Sequence, residues 1–164
     1  MADHGVRDFP SPLLPDQEVR RLLTEAIGAL GAVGGAVGGA VGGAAGGGGA
    51  GGLGGGLGGR AGGRFGAKHF TKVYGAQRVV SIPFSPRTEQ AVLEVLRSVL
   101  RRDEDALVGV MGSGAMNLSP VLVQVQWSPD EVALTAHALE GLIKQRAVPK
   151  ALDRLEDVLQ TLGA

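Results

Sequence analysis

The chain has 164 residues, of which 29 are glycine and none is cysteine, and its 16 basic and 16 acidic residues give a formal net charge of zero. The lack of cysteine excludes disulfides, thiolate metal sites and cysteine nucleophiles. The balanced charge provides no overall field that would attract nucleic acid or an anionic membrane. The length is sufficient for one domain of ordinary size.

The chain begins with a proline-rich stretch, for which extended structure is expected, and continues into a short amphipathic helix over residues 15–27. Pro15 suits the first helical position. The apolar residues of this helix share one face: Val19, Leu22, Leu23 and Ile27. That face requires a partner, which is either the rest of the chain or another copy. The first residues lack the basic-then-apolar pattern of a signal peptide, so we expect cytoplasmic residence, with association to a membrane left open.

Residues 31–66 form a glycine repeat with a period of four, in which larger apolar residues such as Val33 and Val37 occupy the third position. Three conformations compete for it: a helix with a close-contact groove of the GxxxG type, a silk-like strand, and a flexible coil. Glycine costs about 1 kcal/mol relative to alanine in a helix interior. A helical repeat therefore needs an oligomer or a hairpin, for which residues 46–49 are the natural turn.

The repeat resembles the glycine-zipper segments of bacterial membrane-associated proteins in composition and spacing, over residues 27–66. The resemblance implies self-association through the first glycine of each tetrapeptide: Gly31, Gly35, Gly39, Gly43, Gly47, Gly51, Gly55 and Gly59. A lone transmembrane span is not expected, because the few large apolar residues of this stretch contribute only about −2 kcal/mol to insertion. The alternative is a passive flexible linker.

Residues 67–164 predict an α+β domain with the order β-α-β-β-β-α. Strands are predicted at 78–84, 106–111, 120–127 and 132–138, and helices at 86–102 and 149–162. Ser85 and Pro86 supply the N-cap and the first position of the first helix. Polar and apolar residues alternate in the third and fourth strands, so we expect an antiparallel sheet with one solvated face and two packed helices on the other. The chain thus divides into residues 1–26, 27–66 and 67–164.

Signals for catalysis or cofactor binding are weak. The stretch GVMGSGAMN at 109–117 imitates a dinucleotide fingerprint, but a strand follows it where that motif requires a helix. The three histidines, His4, His69 and His137, lack metal-ligand spacing. We therefore predict no enzyme, no cofactor and no metal site. The best candidate for a polar binding cluster is His137, Glu140 and Lys144, near the end of the fourth strand.

The leading hypothesis is a non-enzymatic, self-assembling or membrane-associated protein, in which the repeat mediates association and the C-terminal domain binds a partner. The alternative is a module with the repeat as passive linker that binds RNA, or a small apolar ligand between the sheet and the last helix. Residues 86–162 have the predicted element order of a double-stranded-RNA-binding domain. Glu140 and Asp153 dilute the basic residues near the last helix, so a nucleic-acid partner is not expected.

Overall fold

The computed structural model describes residues 11–46, 72–113, 119–140 and 146–163. These residues form three layers, with one helix on one face of an antiparallel sheet and two helices on the other. The elements in chain order are α1 (Asp16–Gly46), β1 (Lys72–Val80), α2 (Pro86–Val95), β2 (Ser98–Arg102), β3 (Ala106–Ser113), β4 (Ser119–Trp127), β5 (Val132–Glu140) and α3 (Ala147–Gly163). The predicted α+β class is confirmed.

The five strands lie in the order β1-β5-β4-β3-β2, and every neighbouring pair is antiparallel. Strands β1 and β2 are the two edges, so helix α2 carries the chain from one edge of the sheet to the other. The register places Gly75 of β1 opposite His137 of β5, and Gln124 of β4 opposite Thr135 of β5. Residues from neighbouring strands therefore form rows across each face of the sheet.

The first helix of the domain is shorter than predicted, and the sheet gains a strand. Ser85 caps α2 as expected: its side chain accepts the Thr88 N–H at 3.1 Å, and its own N–H donates to Thr88 Oγ1 at 2.8 Å. The helix ends at Val95 instead of residue 102, because residues 98–102 pair with β3. Tertiary pairing here overrides a helical spacing of apolar residues. The order from β1 onward is therefore β-α-β-β-β-β-α, with one strand more than predicted.

The main core lies between the sheet and helices α2 and α3. Its side chains come from alternate positions of the strands and from the apolar stripe of α3, where Leu152, Leu155 and Leu159 are at most 1% exposed. Seven apolar residues from the predicted strands and the predicted last helix are buried here: Val80, Ile82, Val123, Val125, Leu134, Leu155 and Leu159. Three more pack against this core while remaining partly exposed: Leu93, Leu96 and Trp127.

The opposite face of the sheet is covered by α1, so the prediction of one solvated face is wrong. Val19 and Leu23 of α1 are fully buried against Val108, Val110 and Leu122 of the sheet. The alternation of polar and apolar residues in β4 and β5 led to this wrong prediction. The strand positions that face α1 include polar residues, and that pattern is also typical of a solvated face. The apolar face of the N-terminal helix thus has its partner within the same chain.

The sequence predicts that the N-terminal helix ends near residue 27, but α1 continues to Gly46. The first four tetrapeptides of the repeat, residues 31–46, are therefore helical. Of the three conformations considered for the repeat, these residues adopt the helix. Residues 47–66 lie outside the described residues. Among the helices that the structure describes, none combines the length and the apolar character needed to cross a membrane.

Candidate binding cleft at the start of helix α1

A cleft of about 810 Å³ separates the first turns of α1 from the β1–β5 edge of the sheet. The helix contributes Asp16, Gln17 and Arg20 to its wall, and Pro12 precedes them. The sheet contributes Lys72, Val73, Gly75, Ala76, Gln77, Thr135 and His137. Charged and hydrogen-bonding side chains contribute to this wall, in contrast to the apolar clusters on the two faces of the sheet.

The imidazole of His137 is the most unusual group in the cleft wall. The residue is only 8% exposed, and neither ring nitrogen has a hydrogen-bond partner among the described residues. Burial lowers the pKa of His137 from its ordinary value, and the nearby Asp16 carboxylate opposes that shift only in part. A neutral imidazole carries one donor and one acceptor nitrogen. Buried polar atoms normally find partners, so these two nitrogens, which are themselves buried from solvent, are an exception within the described residues.

Gly75 makes the space that the imidazole occupies. It lies directly opposite His137 in the β1–β5 pair. A Cβ atom at Gly75 would stand 2.7 Å from Nδ1 and 3.0 Å from Cε1 of the ring. A glycine inside a strand often marks such a close approach. The position of the ring in the cleft therefore depends on the absence of a side chain on the neighbouring strand.

A row of polar side chains continues from the cleft across the sheet. Gln77 Nε2 donates to Thr135 Oγ1 at 3.3 Å, and Thr135 stands opposite the buried Gln124. Gln124 Oε1 accepts the N–H of Leu14 at 3.0 Å, while its Nε2 has no partner among the described residues. Gln126 also contacts this segment, but as a donor: its Nε2 donates to the carbonyl of Ser11 at 3.0 Å. These glutamines hold the segment before α1 on the sheet and so fix the start of the helix beside the cleft.

Charged groups of both signs line the cleft. Asp16 and Arg20 are four residues apart on α1, so they lie on one side of the helix with about 5–6 Å between their Cβ atoms. Asp16 makes no salt bridge within the described part of the chain. Lys72 lies at the start of the edge strand and contributes a second cation to the wall. The cleft can therefore contact both an anionic and a cationic group of one ligand.

Of the polar cluster that the sequence suggested, the structure describes His137 in full. His137 is buried beneath α1 and does not face solvent, contrary to the expectation of a solvated face. Glu140 ends β5 opposite Lys72, and Lys144 lies outside the described residues. Of the glycines predicted for association, Gly31, Gly35, Gly39 and Gly43 belong to α1. The other four lie outside the described residues: Gly47, Gly51, Gly55 and Gly59.

The sequence does not indicate Asp16 and Arg20 as site residues, because charged residues at these positions are typical of the solvated side of an amphipathic helix. The signal that could have found the cleft is Gly75, a glycine interrupting an otherwise regular strand. Within the described ranges, no group of three or more histidine, aspartate or glutamate side chains is placed to hold a metal ion.

No protein-family model matches the chain, and no curated protein matches it.

Proposed function

We propose that the protein is a non-enzymatic assembly protein that associates through the glycine-rich half of α1, while the sheet and its helices form a binding domain. The observation that supports this most is the continuity of α1 from the docked segment through four tetrapeptides of the repeat. A glycine-rich helix of this length is costly on its own, at about 1 kcal/mol per glycine relative to alanine. Packing against another helix is the usual compensation for such a cost.

The apolar side of α1 continues past the sheet. From Val19 onward, apolar residues recur at alternating intervals of four and three: Val19, Leu23, Ala26, Leu30, Val33 and Val37. The described members of the cluster against the sheet end at Ala26 on α1. An alternation of four and three is the spacing of helices that pack along one another. In the sequence, the same spacing continues beyond Leu30 at Val33 and Val37.

The first glycines of the tetrapeptides occupy the other side of α1. At about 100° per residue, Gly35 and Gly39 stand about 160° from the line through Val19. Small residues at a spacing of four let two helix backbones approach closely. The helix thus offers two unlike faces, one apolar and one nearly without side chains, and the proposed association uses the glycine face.

The test compares the full chain with the triple variant Gly35→Leu, Gly39→Leu and Gly43→Leu. The substitutions raise helix propensity and hydropathy, yet they prevent close backbone approach. We expect the wild type to have an oligomeric mass in size-exclusion chromatography with light scattering, and the variant to have the mass of a monomer. Crosslinking in cells repeats the comparison at native concentration.

The matched control places the same three leucines on a different row of the helix, at Ala32, Ala36 and Ala40. Loss of the oligomer in both variants would indicate general overpacking rather than a glycine contact. A monomeric wild type, or an oligomer that survives the glycine substitutions, would overturn the proposal. Flotation with phosphatidylglycerol-containing vesicles tests the membrane-associated form of the proposal separately, because the same variant should then bind vesicles at least as strongly.

A second candidate function is small-ligand binding with the repeat as a passive linker. The cleft beside His137 supports it, since concave sites with a few converging polar groups are typical of ligand binding. The polar wall favours a polar ligand over the apolar ligand considered from the sequence. The space between the sheet and α3 is filled by leucine side chains that are at most 1% exposed.

A further inference from the structure

A groove of about 340 Å³ lies between α1 and the β2 edge of the sheet, far from the cleft beside His137. Ala26, Ala29 and Leu30 line it from the helix, and Leu100 and Pro120 line it from the sheet. Its wall is therefore mostly apolar. Leu100 is 45% exposed, so a large apolar side chain of this wall is accessible to a partner. Apolar surface that is left exposed in this way is typical of protein interaction sites.

Strand β2 is an edge of the sheet, yet it is poorly suited to pairing with a further strand. Its register with β3 shifts between Val99 and Arg101. Arg101 and Arg102 place charges along it, in exposed ion pairs with Asp103 and Glu89. Bulges and charged residues are features that oppose pairing between sheet edges. The groove beside this edge therefore suits a helix better than a strand.

Helix α1 crosses the sheet toward this edge and continues past it. Its first turns lie beside β1 and β5, whereas Leu30 lines the groove beside β2, at the opposite edge of the sheet. Residues 31–46 continue the same helix, for about 24 Å at a rise of 1.5 Å per residue. They include no charged residue. An uncharged helix thus extends from the groove beyond the sheet.

We propose that this groove receives residues 31–46 of a second copy of the chain, while its own residues 31–46 enter the groove of that copy. A twofold axis beside β2 makes both contacts at once, because each extended helix then lies over the partner's groove. Glycines at a spacing of four allow the entering backbone to approach the groove wall closely. The inference rests on the association through α1 proposed above, and it names the surface that receives the helix.

The extent of this contact fits a stable dimer. A standard interface takes about 20–30 residues from each partner. Residues 29–46 together with residues 97–102 form a set of that size. A contact between two glycine rows alone would use one side of each helix and would leave the groove open.

The direct test is disulfide crosslinking between two chains, which is clean because the protein has no cysteine of its own. One chain carries Ser98→Cys in the groove, and the other, distinguished by a size tag, carries a single cysteine in the repeat. Four positions are scanned in the second chain: Ala32, Ala36, Ala40 and Ala44. We expect at least one mixed disulfide that forms faster than with the control Gln160→Cys, which lies on the exposed side of α3.

A matched pair of variants tests the groove without crosslinks. Leu100→Glu puts a charge into the apolar wall and should raise the dimer dissociation constant about tenfold or more in analytical ultracentrifugation. Val99→Glu should change it by less than about threefold, because Val99 is equally exposed on the same strand but does not line the groove. Circular dichroism and thermal melts verify that both variants remain folded.

Mixed disulfides no faster than the Gln160→Cys control would overturn the proposal. If the triple glycine variant still abolished the oligomer in that case, association through the glycine face would stand without the groove, so the two proposals fail separately. A monomeric wild type would overturn both. Equal weakening by Leu100→Glu and Val99→Glu would exclude a specific role for the groove. In the double variant Ser98→Cys, Leu57→Cys, a disulfide within one chain would assign the groove to the second half of the repeat, contrary to the proposal.

Discussion

The two faces of the sheet are made by the same five strands but differ in chemistry. Among the described residues, the face toward α2 and α3 has eighteen buried apolar residues. Its buried polar side chains are satisfied: Thr88 Oγ1 donates to the carbonyl of Ser85 at 2.7 Å, and Ser113 donates to the carbonyl of Ala147 at 2.9 Å. The face toward α1 has six buried apolar residues in the same part of the chain. It also buries Gln124 and His137, which retain unpartnered nitrogens among the described residues.

This difference indicates a division of roles. A large apolar interface with satisfied polar groups contributes most of the stability. Unpartnered buried nitrogens lower stability, and they persist where they serve a site. We therefore interpret the α3 face as the structural core and the α1 face as the functional one, and the following substitutions test this comparison from the largest effect to the smallest.

Leu155→Ala on α3 should be the most destabilising change, with a cost of about 2–5 kcal/mol. Leu155 is fully buried in the larger core. Leu23→Ala is the matched change on α1, where the residue is equally buried in a smaller cluster. Because α1 contacts the sheet through the smaller cluster, we expect it to undock locally in this variant, with a cost of about 2 kcal/mol or less. Urea denaturation measures both; equal costs would contradict the proposed difference between the faces.

Glycine-to-alanine substitutions should also be more destabilising on the face toward α2 and α3 than on the face toward α1. At Gly109, under α2, a Cβ would stand 2.6 Å from Leu96 Cδ1 and 2.9 Å from the Ser98 carbonyl oxygen, a backbone atom that cannot yield easily. At Gly75 the obstacle is the ring of His137. Overpacking typically costs about 1–3 kcal/mol, and we expect Gly109→Ala at the upper end and Gly75→Ala at the lower.

The double variant Gly75→Ala, His137→Ala isolates the ring contact. If the ring is the obstacle, the added cost of Gly75→Ala should largely disappear when His137 is already alanine. An unchanged cost in that background would show that the strain lies elsewhere in the β1–β5 pair.

His137→Leu should stabilise the ligand-free protein by about 1 kcal/mol, because it removes two buried nitrogens that lack partners. Thermal melts of the variant and of the wild type measure the difference. A clear loss of stability would indicate that the imidazole makes favourable interactions in the ligand-free protein, contrary to its interpretation as a site residue.

His137 should also contribute to the pH dependence of stability, with a smaller effect than the substitutions above. Burial lowers the pKa of His137 in the folded state, whereas the unfolded chain binds the proton near the ordinary value of about 6.5. The stability that the neutral ring contributes is therefore complete above about pH 6.5 and is lost as pH falls toward the folded pKa. Urea titrations at several pH values should show this slope in the wild type and a weaker one in His137→Gln; identical slopes would contradict the assignment.

The α3 face could be predicted from the sequence because its signals are local. Alternating apolar residues in β4 and β5 and the stripe that includes Leu155 and Leu159 specify one buried face and one helix. The N-cap at Ser85 likewise depends on neighbouring residues only. These elements agree with the structure since local preference and tertiary packing favour the same conformation.

The α1 face could not be predicted because its polar strand positions match those of a solvated surface. Gln124 is buried only because the chain segment at Leu14, 110 residues away in sequence, donates to it. The sequence does not predict β2 for a similar reason: Leu96, Val99 and Leu100 continue the helical spacing of α2, whereas residues 98–102 are extended because they pair with β3. Gly75 and Gly109 are local signals in the sequence, because a glycine inside a strand often marks a close approach. Gly75 faces the ring of His137, and Gly109 faces Leu96 and the carbonyl of Ser98.

The central claim is that α1 buries His137 in a neutral state on the second face of the sheet. The most direct test is the NMR titration of the His137 Cε1–H resonance between pH 4 and pH 9 in the ligand-free full chain. We expect a midpoint below the ordinary histidine value of about 6.5, moving toward that value in Leu23→Ala as α1 undocks. A midpoint at or above 6.5 that is insensitive to Leu23→Ala would contradict burial beneath the helix.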